Sequence, residues 1–414
     1  MTGCERRAPV PDDAVQACMP RAVYEPTTVE EACAVLEALS REKHACVFVG
    51  GGTKLGLGAP PTRLDAVVRT RKLTRIVEYS PSDQVVSVEA GVTLGALQER
   101  LAQDRQRLSL DAPWPARATL GGIIAANSFG PLRARCGAVR DLILGVSLVR
   151  ADGVLAKGGG KVVKNVAGFD LPKLACGSLG TLGMIAAATL RVHPLPESTK
   201  VRVVRGLSAE SVPALTEALR AAQLEPVALL ARRVHGSRGF DVALMFEGFG
   251  AGVTEQVARL GTIATVAAAD AESPSLFADH RSAREGAALR VKIAALATEL
   301  PAVEAALAPL SRLFPTAELG WYPTLGLGFF SVPSTDAPTL DDATHAAATV
   351  AALASARRDL FARRGSLTIE TAPDGVRARV EPWSAPTSLR LHQAVKSRFD
   401  PEGRLAPGRF VGGI

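Results

Sequence analysis

The 414 residues carry 48 Lys and Arg against 41 Asp and Glu, a formal net charge of +7, with 47% hydrophobic, 21% charged and 5% aromatic residues. Such a length suffices for two domains with cores built mainly from Ala, Val and Leu, and the even spread of charge excludes a nucleic-acid tail. No run approaches eighteen apolar residues and no N-terminal apolar h-region is visible, so neither a membrane-spanning helix nor a secretory leader is expected.

Six cysteines, Cys4, Cys18, Cys33, Cys46, Cys136 and Cys176, lie far apart without a C-x-x-C. That pattern predicts neither an iron–sulfur cluster nor a zinc ribbon, but free thiols in a cytoplasmic protein.

Residues 1–22 read as a loose, Pro-bearing arm. Thr28-Val29-Glu30-Glu31 forms a capping box that predicts a helix to about Leu39. Its apolar face carries Ala32, Val35, Leu36 and Leu39. A short strand over 45–49 then runs into Gly50-Gly51-Gly52-Thr53-Lys54-Leu55-Gly56-Leu57-Gly58. Glycine allows positive φ and close backbone approach, and a turn that aims several N–H groups into one concavity suits a phosphate. This is neither familiar phosphate loop. Leu55 stands where G-x-G-x-x-G needs its third glycine, and Leu57 follows Gly56 where a P-loop needs Lys.

Strands are predicted at 66–69, 75–78 and 85–90. Thr93 caps the next helix, with Leu94, Leu97 and Leu101 facing in. After Pro113-Trp114-Pro115, Thr119 caps another helix, where Gly121 and Gly122 admit close contact and unpaired N–H groups favour an anion. A strand over 142–150 turns at Asp152-Gly153, a strong hairpin signal, into 154–157. Arg140-Asp141 reads as a structural pair or turn. A strand over 184–192 ends at Pro194 and Pro196, the first domain boundary.

Beyond it, helices are predicted at 210–222, 254–260, 301–313 and 341–364, and strands at 227–231, 241–246, 325–331 and 366–370. Pro386 precedes a last helix at 387–398. The division is an arm (1–22), a first domain (23–196), a second (197–384) and a tail (385–414) that returns to the first. The alanine-rich stretch 343–352 reads as buried in the second domain rather than as a docking face.

Four segments together carry a resemblance. They are the triple-glycine loop, the stretch from Pro113 to Asn127, the stretch Lys161 to Asp170 running on to Gly177-Ser178-Leu179-Gly180-Thr181-Leu182-Gly183-Met184-Ile185, and the tail Phe399 to Arg409. They resemble the vanillyl-alcohol-oxidase (PCMH) type of FAD enzyme, nearest to the FAD-binding E subunits of bacterial glycolate oxidases. The likeness spans roughly residues 25–196 and the last thirty or so. It implies an α+β fold: a two-subdomain PCMH-type FAD-binding domain, a mixed α/β cap, and a C-terminal segment packed on the first domain.

The resemblance implies that the FAD pyrophosphate lies against Gly50, Gly51, Gly52, Thr53 and Lys54, with Leu55 and Gly56 completing the loop. Pro113, Thr119, Leu120, Gly121, Gly122, Ala126 and Asn127 would flank the flavin. Gly177, Ser178, Gly180, Thr181, Leu182, Gly183 and Ile185 would hold the adenosine side, and Arg409 would approach from the tail. Ala406 replaces the family's Asn in Asn-Pro-Gly. Lys161 and Lys164 read as a solvated hairpin, or, more sharply, as cations near the flavin or its phosphates.

His44, His193, His235, His280, His345 and His392 form no H-x-H or H-E-x-x-H pair, so no metal site is expected. Each reads as a surface or packing residue, and the catalytic residues stay unassigned. No histidine adjoins the glycine loop, which predicts non-covalent FAD. Leu179, where catalytic relatives carry Glu, favours the E-subunit reading.

The resemblance implies glycolate oxidation to glyoxylate within a complex. A catalytic flavoprotein D subunit and an iron–sulfur F subunit are the expected partners. The location would be cytoplasmic, with any inner-membrane attachment peripheral and through the complex. A stand-alone FAD oxidase of another small hydroxy acid or alcohol, and a non-catalytic scaffold, remain open.

Overall fold

In the computed structural model, residues 4–161, 169–234, 236–264, 275–337, 340 and 342–414 are described. The chain divides into two compact units. One comprises Met1–Phe129, Gly137–Leu195 and Ala385–Ile414; the other comprises Gly130–Cys136 and Pro196–Ser384.

In the first unit, the Thr28 hydroxyl accepts the Glu31 N–H at 3.1 Å and starts the helix Val29–Arg41. The Glu31 carboxylate reaches back to the Thr27 N–H at 2.7 Å and also interacts with the Thr28 backbone. Ala32, Val35, Leu36 and Leu39 are buried on one face, as the 3.6-residue period requires. This helix is the crossover between two parallel strands. Strand β1 (Arg6–Arg7) lies antiparallel on β2 (Ala22–Tyr24), and β3 (Cys46–Val49) and β4 (Ala66–Arg69) complete a sheet of order β1-β2-β4-β3. β2, β4 and β3 run parallel.

The N-terminal segment is not loose. Besides strand β1, it carries the buried Asp13, which accepts from Arg7 Nη1 and Arg69 Nε at 2.6 Å each. A buried carboxylate persists only with such partners, so these two arginines hold the segment down.

The other sheet of this unit contains β5 (Ile76–Ser80), β6 (Val85–Glu89), β8 (Ile143–Val149), β9 (Leu155–Gly159) and β10 (Met184–Arg191), in the order β5-β6-β10-β8-β9. β7 (Gln106–Arg107) pairs with β11 (His193–Pro194). Thr93 caps the helix Leu94–Ala102, burying Leu94, Leu97 and Leu101.

The second unit is built on a seven-stranded antiparallel sheet. Its strands are β12 (Ser198–Leu207), β13 (Ala228–Arg233), β14 (Phe240–Gly248), β15 (Ala287–Ala294), β16 (Glu318–Tyr322), β17 (Leu327–Pro333) and β18 (Ser366–Thr371). The order is β12-β14-β13-β16-β17-β15-β18. One face packs Leu289, Val291, Ile293, Trp321 and Phe330 against apolar residues of Ser211–Ala221, Gly250–Ile263, Leu300–Leu313 and Ala343–Ala362. Ala346, Thr349 and Ala352 are buried there.

Side chains alternate across a strand, so Arg290, Lys292, Glu318, Tyr322, Ser331, Thr368 and Glu370 fall on the opposite face. The helix Ser275–Glu285 packs on strands of this face. β12, β15, β16 and this helix were not expected. β12 and β15 alternate apolar residues with Lys and Arg, and Gly320 interrupts β16, so their apolar signal is thin.

Candidate functional site

After β3 the chain does not enter a crossover helix. Residues 50–65 run irregularly to β4, a length of connection that in compact domains marks a functional loop. In this loop the backbone N–H groups of Gly50, Gly51, Gly52 and Thr53 donate to no acceptor among the described residues. Unpaired donors on successive residues form an anion-binding nest.

The glycines are required for different reasons. A Cβ on Gly50 would overlap the Thr119 side chain, and one on Gly51 would overlap the Arg117 carbonyl. Gly52 instead has φ +72°, and a Cβ there would meet only Leu55 Cδ1, at 3.8 Å.

The loop lines a narrow cavity of about 90 Å³ with Val47, Phe48, Val49, Lys54, Leu55, Thr70, Thr119, Gly121, Gly122, Ala125, Ala126, Leu179, Gly180, Gly183, Ile185 and Arg409. A wider groove of about 590 Å³ shares Val49, Gly51, Gly52 and Leu55 with it and adds Arg69, Arg71 and Arg117. The structure therefore brings together the glycine loop, the helix start, the 177–185 loop and the tail.

Gly56, Pro113, Leu120, Asn127, Gly177, Ser178, Thr181 and Leu182 are not in the lining. Leu120 is a core residue. The Ser178 hydroxyl donates to Ala175 O at 2.8 Å and that of Thr181 to Ser178 O at 2.7 Å, so both stabilise their own loop. Asn127 ends its helix in the left-handed region, φ 46°, and its buried Oδ1 has no hydrogen-bond partner. Lys164 and His235 lie outside the described residues. Lys161 pairs with Glu78 at 2.5 Å on the surface. Thr70 and Phe48 were missed. A signal existed, since Thr70 directly follows a parallel strand, where open α/β sheets bind ligands.

The helix start differs from its sequence reading. In Leu120–Ala126 the first N–H groups are all paired. Leu120 donates to Val92 O, Gly121 to Ala90 O at 2.9 Å, Gly122 to Thr119 Oγ1 at 3.3 Å and Ile123 to Thr119 O. This helix offers a ligand close approach but no free donors.

Arg409 also differs. Its guanidinium donates to Leu55 O at 3.0 Å and Leu57 O at 2.7 Å, bracing the glycine loop from the tail. Lys396, on the last helix, donates to Thr181 O at 2.9 Å, Leu405 O at 2.7 Å and Asp400 Oδ2 at 2.7 Å. Burial pulls its pKa down against the opposing pull of Asp400. Burial pushes the thiols of Cys46 and Cys176 up to about 12, which keeps them unreactive.

The second unit holds a separate ionisable cluster. His280 is buried, with Nδ1 at 2.5 Å from Glu318 Oε1 and Nε2 at 2.9 Å from the Tyr322 hydroxyl. Arg284 donates to that hydroxyl at 3.2 Å, and Arg232 to Glu318 at 2.7 Å. A Cβ on Gly320 would overlap the His280 ring, so glycine makes its place. Burial holds the imidazole below its usual pKa even beside Glu318. His280 is a buried packing residue whose two ring nitrogens are both hydrogen-bonded, to Glu318 and to Tyr322.

A family model described as an FAD binding domain matches residues 20–159. These residues are an FAD-binding domain. Its cofactor is FAD, and the free donors of Gly50–Thr53 are groups that such an anionic ligand satisfies.

Over 174 residues the chain is 40% identical to a D-lactate dehydrogenase of Archaeoglobus fulgidus, a match covering 42% of this chain and 38% of that protein. Over 166 residues it is 35% identical to the glycolate oxidase subunit GlcE of Escherichia coli, covering 40% and 47%. The matched stretch is therefore under half the length of these relatives. The chain also shares its fold with p-cresol methylhydroxylase, at a TM-score of 0.73 and 15% identity over 94% of this chain and 88% of that one.

Proposed function

We propose that this chain is the FAD-binding subunit of a glycolate oxidase (glycolate dehydrogenase) complex. In this reading the complex converts glycolate to glyoxylate, with a catalytic flavoprotein D subunit and an iron–sulfur F subunit that takes electrons onward. The carrying observation is the open nest of Gly50–Thr53 in an FAD-binding domain. Relatives named for oxidation of 2-hydroxy acids support the substrate class.

The N–H groups of Gly50–Thr53 would hold the pyrophosphate, with Lys54 adding charge. Thr119, Gly121, Gly122, Ala126 and Asn127 would bound the flavin, and Gly180, Gly183 and Ile185 the adenosine. Bound flavin supplies a hydride acceptor. Oxidation of glycolate also releases the hydroxyl proton, and a positioned base speeds that step by about 10²–10⁴-fold. Among the described residues, Lys54 and Arg409 are the ionisable side chains in the narrow cavity's lining, with no carboxylate or imidazole, while Asp12 and Glu25 line the adjoining groove. That composition supports dependence on a partner.

FAD is held non-covalently in this reading, and acid precipitation releases it to the supernatant. Flavin left in the pellet would overturn that part. Among the described residues no helix is long and apolar enough to cross a membrane. We place the chain in the cytoplasm, with any membrane attachment made through the complex.

The similarity to D-lactate dehydrogenase favours a second reading, a stand-alone oxidase. Anaerobic mixing of the flavin-loaded chain alone with glycolate, and separately with D-lactate, decides. Little flavin bleaching is expected; rapid bleaching with either substrate would promote the second reading.

A further inference from the structure

The last helix and tail touch both cofactor loops through carbonyl oxygens. Lys396 binds Thr181 O in the 177–185 loop, and Arg409 binds Leu55 O and Leu57 O in the glycine loop. Between them, Cys46 N donates to Arg404 O and Ala406 N to Cys46 O at 2.8 Å, so the tail adds a strand-like rung at the start of β3, the strand that leads into Gly50. Arg404 anchors that rung by donating to Ala151 O at 2.8 Å and Ser40 Oγ at 2.9 Å.

The Lys396 ammonium is buried, is not in the cavity lining, and its three acceptors belong to the loop, the helix end and the tail. Desolvating an ammonium is unfavourable unless its hydrogen bonds are all made. Its position is therefore favourable only when the 177–185 loop and the tail are both docked.

We propose that Lys396 is a positioning residue that couples FAD binding to docking of the C-terminal tail. A carbonyl held by a cation turns its peptide unit, and the neighbouring N–H groups, into one orientation. Lys396 does this at Thr181, while Arg409 does it at Leu55 and Leu57, just after the Gly50–Thr53 donors, and the rung fixes β3 at Cys46 before them. FAD that draws on both loops favours the docked tail, and the docked tail favours FAD. Linkage makes the two effects equal in size. The inference rests on the placement of FAD against these loops.

The test uses the full chain with FAD and two variants. Lys396→Met removes the ammonium, and Lys396→Met/Asp400→Asn also removes the carboxylate that would otherwise be left buried. FAD affinity is measured by fluorescence, and amide hydrogen exchange at Cys46, Leu405 and Ala406 with and without FAD. FAD should slow exchange at these amides in the wild type. The double variant should lose about tenfold in FAD affinity and most of that FAD-dependent protection.

A merely structural role would lower the melting temperature equally with and without FAD and leave FAD affinity within about twofold; that result would overturn the coupling. So would wild-type tail exchange indifferent to FAD. A wild type that takes up no FAD at all overturns the cofactor placement itself, which separates the two failures.

Discussion

The glycine loop at Gly50–Thr53 and the helix start at Thr119–Gly122 both look like anion sites in one dimension. Each offers glycines, a threonine hydroxyl and a run of backbone donors. In the folded chain they behave oppositely. The loop's four N–H groups have no acceptor among the described residues, whereas those of the helix start are taken by Ala90 O, Val92 O and Thr119. Free donors, rather than glycine content, make an anion site. The helix start supplies a close-packed wall: Thr119 and Arg117 press so closely on the loop that Gly50 and Gly51 leave no room for a side chain.

The comparison is most severely tested by Gly51→Val. The new side chain overlaps the Arg117 carbonyl, so the loop must leave its wall. Flavin content should fall to near zero while circular dichroism keeps most of its amplitude. Normal flavin occupancy would remove the loop from the site.

Gly52→Ala is milder, because the space is open and only the φ of +72° is strained. An Ala forced into that region costs about 1–2 kcal/mol, which should weaken FAD by about tenfold. Unchanged affinity would mean that the loop's conformation does not matter for the cofactor.

Thr119→Ala should do the reverse. Loss of a helix cap costs roughly 1 kcal/mol of stability, so the melting temperature should fall more clearly than FAD affinity. A change in affinity larger than that of Gly52→Ala would invert the assignment of roles.

The smallest effect concerns the N-terminal segment beside the loop. Its Asp13 carboxyl is held well below the usual carboxylate range, first by its bond to Arg7. A group whose folded pKa is depressed stabilises the fold above its unfolded pKa of about 3.9 and loses that contribution as pH falls further. Hydrogen exchange at residues 10–18, corrected for its intrinsic rate, should accelerate below roughly pH 4 before the rest of the first unit. Uniform acceleration would show that the segment is held by other means.

Much of the first unit was legible because its signals are local. Thr28 and Thr93 cap the helices they were expected to cap, and the apolar residues named for both helices are buried. The second unit was harder. β15 alternates Leu289, Val291 and Ile293 with Arg290 and Lys292, a pattern readable as a strand but easily taken for a polar segment. β16 carries Gly320 at its centre, where glycine weakens the strand signal and serves instead to admit His280 from a distant helix. Nothing local marks Gly130–Cys136 as belonging with the second unit.

The sequence by itself determined the capped helices, the apolar faces and the glycine loop, because propensity, capping and close-approach glycines act within a few residues; the FAD-binding character came from the resemblance of whole motif segments and from the match of residues 20–159 to an FAD binding domain. Only the tertiary structure decided which backbone donors stay free, that Arg409 braces a loop, and that His280 sits between Glu318 and Tyr322. Those outcomes depend on partners 38 to more than 350 positions away in the chain. A polar group's role is set by what folding places opposite it, and that partner lies outside any local window.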